Sequence, residues 1–347
     1  SRLAFHADFI LILLSPLYLL WSDPRLLLII QAAVVACGAI FVYGISRHLL
    51  KEKTISLVLA ISFLMNPSVQ RATIYDFHAV VLATTLLLGA VYFLLKKRYG
   101  FFLLFALLAA LTKEQLWFII GLFGPILYVR HGKRLFGVML TLLTFGMFYY
   151  LLWYAIPQTA GSAHFALAYF SEGGASPSDV IRNIVLSPVE SIQTALLPNR
   201  LDYYQKLLSP VGYIPLAFPF WLILAAPDLV LNIFSDRVQL QQIYYQYTAA
   251  ISAFLYISTI YGVVVIRKYL PRLSLAMISL YLSICLILTA YLYGPLPGSR
   301  EANLAIFTHP QVERVSIDHE LARIPAEARV SASNNLASHL SEREHIY

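Results

Sequence analysis

The chain has 347 residues, 59% of them hydrophobic and only 12% charged, with a formal net charge of +7 and a mean hydropathy of +0.70. A soluble domain carries about 25% charged and about 45–50% apolar residues, so a soluble enzyme, a disordered chain and a disulfide scaffold are excluded. What remains is an all-α polytopic membrane protein. Cys37 and Cys285 stand far apart in apolar runs and read as small core residues. The chain starts at Ser1 without Met and stops at Tyr347 inside an alternating segment, as expected of a piece of a longer protein.

The run 9–21, 13 residues with Pro16 inside and Trp21 at its end, is too short to cross a bilayer and suits a helix lying at the interface. Runs of spanning or near-spanning length follow at 25–45, 54–68, 77–95, 134–156, 245–266 and 273–293. The run 101–129 is broken by Thr112-Lys113-Glu114-Gln115, and the run 208–233 by Pro210, Pro215, Pro219 and Pro227. The second reads as a re-entrant or irregular pair of half-helices, tolerable only against protein or a wet cavity.

Charge fixes a topology. Four short loops, 46–53, 96–100, 130–134 and 267–272, hold 12 of the 25 Lys and Arg residues, and their only acid is Glu52. Placing all four in the cytoplasm makes 101–129 a hairpin of two short spans with 112–115 at its outer tip. It also puts residues 296–347 outside. Every other acid of the body then falls on the outer side: Asp8, Asp23, Asp76, Glu114, Glu172, Asp179, Glu190, Asp202, Asp228 and Asp236. The segment 296–347 carries seven acidic and five basic side chains and reads as a small, cut-short α/β unit. A capped helix is expected from Ser316 to before Pro325, a strand over 328–332, a short helix from Ser333 through His339, and a further strand starting at Ile346-Tyr347.

Four clusters at the outer face invite chemistry. His6 and Asp8 precede the interfacial helix and suit a base with a phosphate contact, or simply cap the helix. Arg71, Asp76 and His78 join two spans. Asp76 alone reads as a helix cap, but with Arg71 and His78 beside a helix N-terminus the group forms an anion site. Lys113, Glu114 and Gln115 sit between half-length helices, where charge is costly unless it pairs or meets water. Tyr244, Tyr245, Gln246 and Tyr247 are explained first by an aromatic belt. His309, His319, His339 and His345 lack metal-ligand spacing, and no phosphate loop, Ser-His-Asp set or CxxC motif occurs. The positive charge belongs to loops facing anionic lipid rather than nucleic acid.

The stretches FHADFILILLSPLYLL, QAAVVACGAIFVYGISRHLL, NPSVQRATIYDFHAVVLATTLLLGAVYFLLKKR and LLAALTKEQLWFII, with the closing SASNNLASHLSEREHIY, resemble the membrane protein family known as domain-of-unknown-function family 2079. The likeness covers most of the chain. That family is similar to the GT-C glycosyltransferases, including the dolichyl-phosphate mannosyltransferase type, which move a sugar from a polyprenyl-phosphate donor to an acceptor outside. The resemblance implies a GT-C-like helical bundle over 1–295 and a small soluble segment over 296–347. It marks His6, Asp76, His78, Lys113 and Glu114. Where the family places Pro-Glu after its DFH motif, this chain has Ala79-Val80, and a late His-Tyr pair is replaced by Gln246-Tyr247. The first span and first outer loop of GT-C enzymes, home of their catalytic acid, have no counterpart in this sequence, and Asp8 is the nearest candidate.

The expected function is an inverting membrane glycosyltransferase using a polyprenyl-phosphate-linked sugar, multi-pass in the cell membrane. Asp8 and His6 are the expected catalytic pair. Arg71, Asp76, His78, Lys113, Glu114, Gln115 and Tyr247 are expected to bind substrate. No cofactor is implied, and the question of a divalent metal stays open. The alternatives are a transporter or flippase for a lipid-linked or anionic substrate, and a non-catalytic scaffold.

Overall fold

The computed structural model describes residues 2–164, 182, 184–302, 304, 308, 309, 313–340 and 343. Glu172, Asp179, His345 and the strand expected at Ile346-Tyr347 lie outside the described residues. Helix α1 (Ile10–Leu14) passes directly into a 3-10 turn over Ser15–Leu19, with Pro16 at its start. Ile12, Leu13, Leu19 and Leu20 point outward, the one-sided apolar exposure of a helix seated in an interface. Its inner side packs Ile10 onto Ala79 and Leu82.

Helix α2 (Arg25–Leu50) has 26 residues, about 39 Å at 1.5 Å per residue, and is long enough to cross a bilayer. Cys37 is exposed on it, and Cys285 is half-exposed later in the chain. Neither is a core residue, because these peripheral helices turn most of their surface away from the bundle. After α2 the chain reverses at Lys51, whose φ is 57°. Glu52 then caps α3 (Lys53–Met65), accepting from the backbone N–H groups of Thr54 at 3.0 Å and Ile55 at 2.8 Å. Those N–H groups, Ile55 foremost, hold the Glu52 carboxyl below its usual range. The one acid among the basic loops is therefore a helix cap.

The span expected over 54–68 does not end there. It breaks at Asn66-Pro67 and continues, bent by 41°, as α4 (Pro67–Ile74). Asn66 Oδ1 caps the new helix through the Ser68 and Val69 N–H groups, while Nδ2 donates to the Tyr256 hydroxyl at 3.3 Å. Helices α5 (Ala79–Leu95) and α6 (Tyr99–Ala110) follow, then α7 (Glu114–Gly121), α8 (Phe123–Arg130) and α9 (Arg134–Ala160). A π-turn over Leu151–Ala155 lies just before Pro157 in α9, widening the helix where a proline ring would otherwise meet the preceding turn. Helix α6 has 12 residues, about 18 Å, shorter than a hydrocarbon layer of about 30 Å.

Further along the chain come α10 (Pro188–Ala195) and α11 (Pro198–Leu208). The proline-rich stretch then forms three 3-10 turns, Ser209–Val211, Ile214–Ala217 and Pro219–Ile223, leading into α12 (Ala226–Phe234). Helix α13 (Ala249–Tyr269) is the axis of the bundle: 78% of its apolar window is buried, against 22–28% for the other three long spans. Small residues on α13 let its neighbours approach closely. A Cβ at Gly262 would stand 2.3 Å from the Ile214 carbonyl oxygen, so the irregular 214–217 turn is buried against protein, as such backbone must be. Helix α14 (Leu275–Tyr293) completes the spans, four long ones and a fifth if the bent pair counts as one. In the tail, α15 covers Arg314–Ala322, beginning before the expected Ser316 and without a side-chain cap. The alternating stretch 328–332 contributes a single bridge residue, Val330, and no strand forms among the described residues.

The basic loops gather at one end. Lys96 Nζ lies 3.2 Å from His48 Nδ1, and Tyr99 Oη lies 3.3 Å from His131 Nδ1. Tyr261, two turns before the fourth loop, lines one cleft with Leu94 and Arg130. The segment α6–α8 therefore leaves and returns on the same side. A cysteine placed at Gly132, on the loop between α8 and α9, should react with membrane-impermeant maleimide only from the cytoplasmic side; labelling from outside in sealed cells would contradict this topology. The hairpin also depends on close packing between α8 and α9. A Cβ at Gly137 would stand 2.4 Å from the Gly124 carbonyl oxygen, and the reverse contact is equally tight. Gly137→Leu is expected to lower stability by about 1–3 kcal/mol or more, read as a fall in the unfolding temperature in detergent, whereas Gly100→Ala, which meets nothing within 4 Å, should leave that temperature unchanged or slightly higher, since alanine favours the helix over glycine.

Candidate functional site

The tip of the α6–α7 hairpin shapes the site. Thr112 ends the first helix, its hydroxyl donating to the Ala109 carbonyl at 2.7 Å. Lys113 is fully extended, φ −168° and ψ 151°, and Glu114 opens α7, where a carboxylate favours the positive helix terminus. Both neighbouring charges border one cavity, while the Glu114 oxygens are taken up by the N-terminal segment and His164. Glu114, 3% exposed, points to the N-terminal segment. Its Oε2 accepts from the Ala7 N–H at 3.1 Å, and its Oε1 lies 2.9 Å from His6 Nδ1 and 3.3 Å from His164 Nε2. A second tie comes from Ile10, whose N–H donates to the Leu111 carbonyl at 2.9 Å.

Lys113 faces a largely enclosed cavity of about 80 Å³, room for several waters or a phosphate group. One wall is His6, Glu114 and Val80; the other is Asp228, Leu231 and Asn232 of α12, with Gln246 and Tyr247 closing the end. No hydrogen bond or ion pair within 4 Å engages Lys113 among the described residues. Asp228 is 5% exposed and accepts one hydrogen bond, from Gln115 Nε2 at 3.1 Å. Asn232, one turn along, donates to the Tyr203 hydroxyl at 2.9 Å and the Tyr247 carbonyl at 3.2 Å, which fixes α12 against α11 and the start of the 246–248 turn. Thus a cation and a carboxylate with few hydrogen-bonding partners among the described residues share one cavity.

This chain belongs to the family described as "Predicted membrane protein (DUF2079)". The match runs over residues 1–347. No curated protein and no solved structure matches it.

Of the expected site residues of this DUF2079 member, His6, Lys113, Glu114, Gln115 and Tyr247 meet at the cavity, and four others do not. Arg71 is engaged elsewhere: Nη2 lies 2.9 Å from Glu301 Oε2, Nε donates to the Tyr293 carbonyl at 3.0 Å, and the guanidinium stacks over Tyr244 at 4.7 Å. It ties the 293–301 segment to α4 and does not line the Lys113 cavity. In the same cluster Tyr244 donates to Glu301 at 2.9 Å, and burial, then that carboxylate, push its phenol up. Asp76 is exposed and does not cap α5 with its side chain; the N-cap position is His78, whose side chain does not cap the helix and whose Nδ1 lies 3.3 Å from the Asp76 carbonyl oxygen. The turn is pinned instead by Gln31, fully buried in α2, which donates to the Thr73 and Asp76 carbonyls and accepts from the His78 N–H. His78 stacks on Tyr75, which meets Tyr245 edge-on, and Tyr245 lies beside Tyr247. An aromatic row thus connects His78 to the cavity edge without placing it inside. Asp8 is buried under the start of α1 and is not part of the cavity wall.

Three residues at or beside the cavity carried no functional expectation from sequence: His164, Asp228 and Asn232. For the last two a signal existed. Asp228 and Asn232 are spaced i, i+4 in the otherwise apolar AAPDLVLNIF stretch, which puts two polar groups on one helical face. His164 sits in a long polar loop with no local pattern to mark it.

Proposed function

We propose that this DUF2079 member transfers a sugar from a polyprenyl-phosphate donor to an acceptor hydroxyl at the outer face of the membrane. The observation that carries this reading is Lys113, a cation without an ion pair among the described residues, facing a cavity that also holds the buried carboxylate of Asp228. In an inverting displacement the acceptor oxygen attacks the anomeric carbon as the bond from that carbon to the phosphate oxygen breaks. The acceptor proton passes to a carboxylate, and the phosphate leaves with its full charge. Asp228 suits the first role, having only one hydrogen bond to satisfy it. Lys113 suits the second as a charge-assisted partner to the departing phosphate. The outward apolar face of α1, packed at Ala79 and Leu82 beside the hairpin tip, offers a border for the polyprenyl chain. His6 and Glu114 bind each other at 2.9 Å and serve as wall, so the base is assigned to Asp228 in preference to Asp8 or His6.

Transport is the second reading, favoured by the 41° break between α3 and α4 and by the irregular turns at 209–223, since broken helices line many substrate paths. Purified protein in proteoliposomes with labelled polyprenyl-phosphate sugars separates the two. Transfer predicts release of polyprenyl phosphate and labelling of an acceptor; counterflow of the intact lipid without bond cleavage would sink the glycosyltransferase reading.

A further inference from the structure

We propose that His6, Glu114 and His164 form a binding site for a divalent transition-metal ion of the zinc type. The three ligand atoms, His6 Nδ1, Glu114 Oε1 and His164 Nε2, all lie within 4.8 Å of one another. A tetrahedral zinc site with bonds of about 2.0–2.2 Å has ligand-to-ligand edges of roughly 3.3–3.5 Å. The two edges to Glu114 Oε1 are 2.9 and 3.3 Å, close to the tetrahedral edge, and the edge between the two imidazoles lies within the same 4.8 Å limit.

The carboxylate is arranged as a one-oxygen ligand. Both imidazoles face Oε1, and the Ala7 N–H holds Oε2 at 3.1 Å, the kind of outer hydrogen bond that orients a coordinating carboxylate. Two imidazoles and one carboxylate oxygen suit zinc by ligand type, with a fourth position left open. The site is enclosed on two sides: the His164 and Glu114 side chains are 2% and 4% exposed, and His6, at 25%, forms the accessible flank. His6 and Glu114 also line the Lys113 cavity, so a bound ion would neighbour that cavity. The ion would clamp three segments distant in sequence, the N-terminal turn, the hairpin tip and the end of α9. None of this depends on glycosyl transfer.

The test uses the whole chain purified in detergent with no histidine tag, stripped with EDTA and then given zinc. Metal analysis after gel filtration should find about one zinc per chain, and zinc should raise the unfolding temperature. Cobalt in its place should give the visible absorption of a tetrahedral nitrogen and oxygen site. His164→Ala and Glu114→Gln should weaken binding by more than the roughly 10–100-fold typical of outer-shell changes and should remove the zinc-induced thermal shift. A variant counts only where its metal-free form unfolds at the temperature of the metal-free parent. His131→Ala, whose imidazole lies at the opposite end against Tyr99, should bind zinc as the parent does. A folded parent that stays metal-free at micromolar zinc overturns the proposal, whatever the variants do. So does zinc binding that survives both His164→Ala and Glu114→Gln.

Discussion

Replacing Lys113 by alanine is expected to weaken binding of polyprenyl phosphate by roughly 2–5 kcal/mol, about 30-fold or more in Kd, in a protein that still folds. The size follows from where the charge sits. Helix α6, 12 residues long, is too short to cross a hydrocarbon layer, so on the proposed topology the hairpin tip sits below the outer surface, where an ammonium is costly unless it meets water or an anion. Glu114 cannot serve, since residues i and i+1 do not face each other and its oxygens already face Ala7, His6 and His164. Asp228 shares the cavity but makes no ion pair within 4 Å with Lys113 among the described residues, so a bound phosphate would supply the closer partner. Lys113→Arg should keep part of the affinity, because the charge survives while its reach and geometry change. Titration of purified variants with polyprenyl phosphate, alongside thermal unfolding, reads the difference. If Lys113→Ala binds like the parent, Lys113 is not the phosphate contact.

Asp228→Asn should act in the opposite way, lowering transfer by about 10²–10⁴-fold while leaving donor binding intact. The amide is nearly isosteric, and its oxygen can still accept from Gln115 Nε2. It cannot take a proton from the acceptor hydroxyl. Removing a buried carboxylate that has one hydrogen bond also relieves an unfavourable charge, so the unfolding temperature should hold or rise. Loss of a negative group from the cavity wall should leave phosphate affinity equal or higher. Single-turnover transfer at saturating donor, measured with Kd for polyprenyl phosphate, distinguishes this pattern from damage to the fold, which would depress both. Near-parental transfer by Asp228→Asn would remove Asp228 from the role of base.

The parts of this structure that were legible in the sequence are those fixed by local rules. Charge counting across four short loops was enough to make 101–129 a hairpin, because a single helix would have carried Arg130, Lys133 and Arg134 to the wrong side. The isolation of Lys113 follows from chain geometry at adjacent positions. The break at Asn66-Pro67 was also written locally, in a helix-capping residue followed by proline, although the run was apolar enough to be taken as one span to 68. What escaped reading depends on distant partners. Arg71 next to a helix N-terminus suggests an anion site, yet its anion is Glu301, 230 positions away. Asp76 looked like a cap, but Gln31 of α2 holds that turn through its backbone. His164 joins Glu114 only because α9 returns beside the hairpin, a packing fact with no trace in the residues around it. Cys37 and Cys285 show the reverse limit: an apolar run cannot say which of its faces meets protein and which meets lipid.

Photo-crosslinking with a polyprenyl phosphate carrying a photoactivatable group near the phosphate tests the central claim most directly. Irradiation of the protein in nanodiscs, followed by peptide mapping, should place the label on the hairpin tip at 111–117, on α12 and on 244–247, and excess unlabelled polyprenyl phosphate should abolish it. In Lys113→Ala the same labelling should fall with the measured loss of affinity. Label spread over the lipid-facing surfaces of α2, α9 and α14 and untouched by competitor would contradict a donor site in the Lys113 cavity.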